Sequence, residues 1–113
     1  MIHINIGSNL DSKHGTRLEN ISIAIKLLVD ANLKIKKISK LYETPSYPNK
    51  RFPKYFNVGL LAEYKFTYED LFRKINLIEK KMGRFRTKKN DPRTCDIDII
   101  DFYGIIKKKG SII

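Results

Sequence analysis

At the start of the chain Ile2, Ile4 and Ile6 alternate with His3 and Asn5, the two-residue period of a half-buried strand, and Gly7-Ser8-Asn9 marks the turn that ends it. Thr16, with Glu19 three residues on, makes a capping box, and Leu18, Ile21, Ile25 and Leu28 then recur at helical spacing as far as Asn32. Residues 33–42 are rich in isoleucine and lysine, but their alternation slips between Ile35 and Ile38, which predicts a second strand with a bulge or a late start. Pro45, Pro48 and Pro53 deny residues 45–54 both helix and central strand, so they read as a loop whose length points to function. A third strand follows over residues 55–64, with Phe56, Val58, Leu60, Ala62 and Tyr64 on one side and Tyr55, Asn57, Gly59 and Leu61 on the other. Thr67 with Asp70 caps a second helix whose stripe is Leu71, Ile75, Ile78 and Met82; Lys80 and Lys81 suit its C-terminal dipole and Gly83 stops it. Beyond a basic loop, residues 95–103 give a fourth strand and residues 107–110 a frayed tail. The order βαββαβ predicts an α+β, ferredoxin-like split β-α-β fold: a four-stranded antiparallel sheet with two helices on one face.

Composition adds limits to that picture. A chain of 113 residues has room for one module with a real core, and we read 1–113 as a single domain. Hydrophobic residues at 42% and charged residues at 31% fit a folded, soluble protein and not a disordered tail. Apolar runs such as residues 21–28 are broken by Ser22 and Lys26, far short of the roughly 20 residues that span a bilayer. The N-terminus alternates where a secretory signal would show a basic stretch and an apolar block, so the expected location is the cytoplasm. The single cysteine, Cys95, excludes an internal disulfide framework and reads as a small buried hydrophobe. A formal charge of +11 calls for an anionic partner, and by itself does not choose among nucleic acid, an acidic membrane surface and a polyphosphate.

Candidate chemistry gathers near the C-terminal end. Asp96 and Asp98 stand two apart on the fourth strand, so both carboxylates leave the same side of the sheet and can share a metal. Hard oxygen donors with no histidine beside them favour Mg²⁺, which keeps waters and takes substrate phosphates as further ligands. Spacing alone leaves a second reading open, in which the aspartates only mark an exposed strand face. The preceding segment, residues 84–93, carries Arg84, Arg86, Lys88, Lys89 and Arg93 against the single acid Asp91. Forked guanidinium donors match phosphate oxygens, so a cationic loop running into an acidic pair suits a metal nucleotide. Lys88 and Lys89 fit solvated surface better. Tyr55 and Asn57 share one side of the third strand and offer an aromatic edge and a two-way amide, a combination suited to a flat heterocycle.

Gly83-Arg84-Phe85-Arg86, then Pro92-Arg93-Thr94-Cys95-Asp96-Ile97-Asp98, resembles the 6-hydroxymethyl-7,8-dihydropterin pyrophosphokinase family of folate synthesis. Ile6-Gly7-Ser8-Asn9-Leu10, Tyr42-Glu43-Thr44-Pro45 and Tyr55-Phe56-Asn57 join it in the right order, so the resemblance covers nearly the whole chain. It implies transfer of diphosphate from ATP to the hydroxymethyl oxygen of the pterin, with release of AMP. It further implies that Asp96 and Asp98 ligate two Mg²⁺ ions, that Arg84 and Arg93 are catalytic, and that Glu79, Arg84, Arg86 and Arg93 lie at the ATP. Asn9, Thr44, Pro45, Tyr55 and Asn57 would line the pterin pocket.

Two departures accompany the resemblance. Asn90-Asp91 stands where the family commonly has an aromatic residue, and the chain stops at Ile113, before the family's histidine, arginine and aromatic segment. The implied consequences are weakened activity and an uncovered sheet face that favours self-association. A remnant that only binds metal nucleotide, and an RNA-binding module of the same strand order, are the competing expectations. The second is opposed by the lack of a basic-glycine-aromatic signature and by acids on the face that RNA would use, so no nucleic-acid or membrane partner is expected.

Overall fold

The alternating isoleucines at the start of the chain become the middle of a sheet. In a computed structural model, which describes residues 1–9, 15–45, 54–83 and 95–105, β1 spans Ile2–Ser8 and α1 spans Arg17–Asp30. β2 (Lys34–Ile38), β3 (Tyr42–Thr44), β4 (Tyr55–Glu63), α2 (Tyr68–Lys81) and β5 (Asp96–Phe102) follow. β1 pairs antiparallel with β4 on one side and with β5 on the other. β2 and β3 both pair antiparallel with β4, giving the order β2-β4-β1-β5 with β3 beside β4.

Because β1 takes the other side of β4, β2 and β3 lie end to end along one edge. β2 is the second strand expected from the sequence, and β3 continues the same edge from Tyr42, the last residue of that expected strand, so among the described residues the sheet has five strands where four were expected. Between them, Ser39 N–H donates to Gly59 O at 2.8 Å and Gly59 N–H donates to Ser39 Oγ, also at 2.8 Å. A side-chain oxygen there stands in for a ladder carbonyl. The expected slip is a register shift between Ile35 and Lys37. With β2 and β3 counted together, the ferredoxin-like βαββαβ order holds.

Ile2, Ile4 and Ile6 of β1, Val58, Leu60 and Ala62 of β4, and Ile97 of β5 bury one side of the sheet against Ile21, Ala24 and Leu28 of α1 and Leu71, Ile75 and Ile78 of α2. The α2 stripe is the expected one. On α1 it differs: Leu18 is 48% exposed, Ile25 is only half-buried, and Asn20 is fully buried. At about 100° per residue, Leu18 lies roughly 90° to one side of the line through Ile21, Ala24 and Leu28 and Asn20 roughly 70° to the other, so the buried face extends toward the Asn20 flank and leaves Leu18 outside.

The caps explain where the helices stop. Thr16 Oγ1 accepts from Glu19 N–H at 3.2 Å and Glu19 Oε1 accepts from Thr16 N–H at 3.1 Å, completing the capping box. α1 ends two residues before Asn32, which takes a left-handed φ of 75° while Leu33 N–H donates to Leu28 O and Asn32 N–H to Val29 O. That pair of bonds is a Schellman closure, and it turns the chain into β2. Gly83, at φ 88°, ends α2 as expected and donates to Lys80 O. Among the described residues no helix is long and apolar enough to cross a membrane.

One polar cluster ties α2 to the end of β4. The Tyr64 hydroxyl donates to Asp70 Oδ2, Arg73 Nη2 donates to Asp70 Oδ1 at 2.8 Å, and Lys74 Nζ lies 3.3 Å from Asp70 Oδ2 and above the Tyr64 and Phe66 rings. The bonds from Tyr64 and then Arg73 hold the Asp70 carboxyl at about 2, below its ordinary 3.8. A carboxylate with a lowered folded pKa stabilises the fold above its unfolded value and loses that contribution as pH falls toward the folded one. Wild type is therefore expected to lose stability from pH 4 to 2 more steeply than Asp70→Asn in urea titrations. The group is partly exposed, so the difference is small and shrinks with salt. Parallel curves for the two proteins would refute the coupling.

Candidate functional site

Register decides what the helix-free side of the sheet presents. β1 pairs Gly7 with Asn57 of β4 and with Asp96 of β5, and β3 pairs Tyr42 with Asn57 and Thr44 with Tyr55. Directly opposed residues leave a sheet on the same side, so Tyr42, Asn57, Gly7 and Asp96 form one row across four strands. The next row holds Gly59, Asn5 and Asp98. Both aspartates therefore face away from the helices, half-buried, as the spacing predicted. Two strand spacings, about 10 Å, separate the Asn57 and Asp96 backbones.

Gly7 forms the floor between them. A Cβ there would stand 2.9 Å from Asn57 Oδ1 and 3.3 Å from Tyr55 Cδ1, so the absence of a side chain is what lets those two groups lie where they do. Asn57, 7% exposed, is held on both ends of its amide: Nδ2 donates to Thr44 Oγ1 at 2.9 Å and to Tyr55 O at 3.4 Å, while Oδ1 accepts from Asn5 Nδ2 at 3.5 Å. Asn5 Oδ1 in turn accepts from the Tyr42 hydroxyl at 2.8 Å. Asn9 is fully buried just past β1, and Pro45 is exposed just past β3.

Glu79, on α2 and 4% exposed, reaches the outer side of β5, where its Oε2 accepts from Ile97 N–H at 2.9 Å. Ile97 lies between Asp96 and Asp98, so this buried carboxylate fixes the strand segment that carries the acidic pair. Glu79→Leu leaves that N–H unsatisfied and is expected to cost about 1–3 kcal/mol in urea unfolding, whereas Glu79→Gln keeps an acceptor oxygen and most of the stability. Equal losses in the two variants would rule out the bond as the cause.

Asp96 and Asp98 supply hard oxygen donors on a face floored by glycine. Among the described residues no three His, Cys, Asp or Glu side chains cluster closely enough to hold an ion alone. Two carboxylates with no third such side chain clustered beside them among the described residues suit Mg²⁺, which retains waters and shares substrate phosphates, better than Zn²⁺, which is usually enclosed by nitrogen and sulfur. A separate concavity of about 760 Å³, lined by Val29, Leu33, Tyr64, Phe66 and Tyr103 among others, lies at the far end of β4 and holds none of the expected site residues.

The structure thus brings Asp96, Asp98, Tyr55, Asn57 and Thr44 to one side of the sheet, with Asn9 and Pro45 at its margin. Arg84, Arg86 and Arg93 lie outside the described residues. Asn5, Gly7 and Tyr42 belong to the site but were not picked out from the sequence. The sequence signals for them are local: Asn5 is a polar position of the first alternation, and Gly7 and Tyr42 stand inside the segments Ile6-Gly7-Ser8-Asn9-Leu10 and Tyr42-Glu43-Thr44-Pro45.

The family model for 7,8-dihydro-6-hydroxymethylpterin-pyrophosphokinase matches residues 3–111. The chain is 35% identical over 111 residues to a mitochondrial folate synthesis bifunctional protein of Pisum sativum, covering 97% of this chain and 20% of the relative. It is 30% identical over 103 residues to the 2-amino-4-hydroxy-6-hydroxymethyldihydropteridine pyrophosphokinase of Helicobacter pylori, covering 82% and 63% respectively. For the protein of that name in Aquifex aeolicus the figures are 33% over 99 residues, 88% and 59%. The chain spans less than two thirds of the length of each of these relatives.

Proposed function

We propose, from the premise that this chain belongs to the 7,8-dihydro-6-hydroxymethylpterin-pyrophosphokinase family, that it transfers the terminal diphosphate of ATP to the hydroxymethyl oxygen of 6-hydroxymethyl-7,8-dihydropterin. The observation that carries this reading is the row Tyr42, Asn57, Gly7, Asp96, which sets an amide suited to a heterocycle and a carboxylate suited to a metal nucleotide on one surface. The pterin hydroxyl oxygen attacks the β-phosphorus and gives up its proton to solvent, the bond to the α,β-bridging oxygen breaks, and AMP leaves with that oxygen.

In this reading Asp96 and Asp98 would hold two Mg²⁺ ions, whose charge when bound would offset that of the phosphates. Arg84, Arg86 and Arg93 bind phosphate oxygens, and Glu79 acts at the nucleotide end by holding β5 in place. Asn57, Tyr55, Thr44, Pro45 and Asn9 orient the heterocycle, so that much of the acceleration comes from alignment of hydroxyl and phosphorus. The reading goes with a cytoplasmic enzyme whose single cysteine, buried Cys95, stays reduced.

The test is incubation with ATP, Mg²⁺ and hydroxymethyldihydropterin, followed by chromatography of the products. AMP and a pterin diphosphate are expected in equal amounts. Inorganic phosphate and ADP in their place, or tight salt-sensitive RNA binding without metal, would defeat the reading.

A further inference from the structure

The hydrogen bonds around Asn57 run in one direction. The Tyr55 carbonyl oxygen can only accept, and it faces Asn57 Nδ2 at 3.4 Å. That favours one orientation of the amide: its nitrogen turns to Tyr55 O and to Thr44 Oγ1, and its oxygen turns to β1. Asn57 Oδ1 then needs a donor, and Asn5 Nδ2 stands 3.5 Å away. With its nitrogen so directed, Asn5 presents its own oxygen to the Tyr42 hydroxyl, which donates at 2.8 Å. The result is a relay from Tyr42 of β3 through Asn5 of β1 to Asn57 of β4, ending on Thr44 back in β3. Both Asn57 N–H bonds are engaged by protein oxygens. What this amide can offer a ligand is therefore the second lone pair of Oδ1, an acceptor.

We propose that Asn5 and Tyr42 are positioning residues that lock Asn57 with its oxygen available as an acceptor, and so select heterocycles that bring an N–H donor to that point. The inference rests on the reading of Asn57 as a pterin contact. Without Asn5 the amide loses the donor that distinguishes its two orientations from the β1 side, and its nitrogen can turn outward to repel the same N–H. Asn5 also lies opposite Asp98 in register, so one carboxamide stands between the heterocycle end and the metal end of the site.

The experiment is a double-mutant cycle with Tyr42→Phe, Asn5→Leu and both together. It is read in two ways: by calorimetric affinity for 6-hydroxymethylpterin with Mg²⁺ and a non-hydrolysable ATP analogue, and by the Asn57 side-chain NH₂ resonances without ligand. Each single variant is expected to weaken pterin binding roughly 3- to 10-fold, and the double variant no further, since both break one relay. Tyr42→Phe alone is expected to move the Asn57 NH₂ resonances, and to move them no further once Asn5 is leucine. Additive losses, or Asn57 resonances unmoved by Tyr42→Phe while wild type binds pterin normally, would overturn the relay. A wild-type chain that binds no pterin while the resonances do respond would overturn the selectivity claim together with the reading it rests on.

Discussion

Asp98→Ala is expected to remove Mg²⁺-dependent AMP release almost completely, a fall on the order of a thousandfold or more, with little change in thermal stability. Asp96→Ala is expected to do the same. Neither carboxylate belongs to the core: both leave the sheet on the side opposite Ile97 and are half-buried beside Gly7 and Asn5. The charge of a triphosphate, in contrast, has to be offset where it develops, and these are the carboxylates that would hold the ions that offset it. Because the pair acts as a unit, the double variant should be scarcely worse than either single one. Activity within tenfold of wild type in both single variants would mean that the ions are held elsewhere.

Gly7→Ala is the second large effect. The added methyl would sit 2.9 Å from Asn57 Oδ1, closer than carbon and oxygen tolerate, and 3.3 Å from the Tyr55 ring. Asn57 cannot step aside cheaply, since it is buried and bonded to Thr44 and to Tyr55 O. Overpacking of this kind costs about 1–3 kcal/mol, which corresponds to roughly a 5- to 150-fold rise in KM for the pterin if the strain falls on the binding geometry. Unfolding curves separate this from global damage. An unchanged KM for the pterin would show that Gly7 is not the floor of its site.

Period two alone was enough to send Asp96 and Asp98 to one side, and Tyr55 and Asn57 to one side, because side-chain alternation is a local property of a strand. The stripe on α2 and the capping box at Thr16 were legible for the same reason. Register was not. That Asn57, Gly7 and Asp96 stand in one row depends on how β4 and β5 slide along β1, and that is set by the packing of Ile4, Ile6, Val58, Leu60 and Ile97 far apart in sequence. The Tyr42 to Asn5 bond spans 37 positions and leaves no trace in either segment read alone. Glu79 shows the opposite difficulty: the family resemblance implies a nucleotide contact there, whereas its burial against Ile97 N–H depends on how α2 packs against β5, which no local pattern carries.

The decisive observation is where a divalent ion sits when nucleotide is bound. With Mn²⁺ substituted for Mg²⁺ and a non-hydrolysable ATP analogue present, paramagnetic broadening should erase the amide resonances of residues 96–98 and of Asn5 and Gly7 across the ladder. Leu33, Tyr64 and Phe66, at the far end of the sheet, should stay sharp, and Asp98→Ala should restore the lost signals. Broadening centred on the Tyr64 and Phe66 end, or unchanged by Asp98→Ala, would contradict the assignment of Asp96 and Asp98 as the metal site.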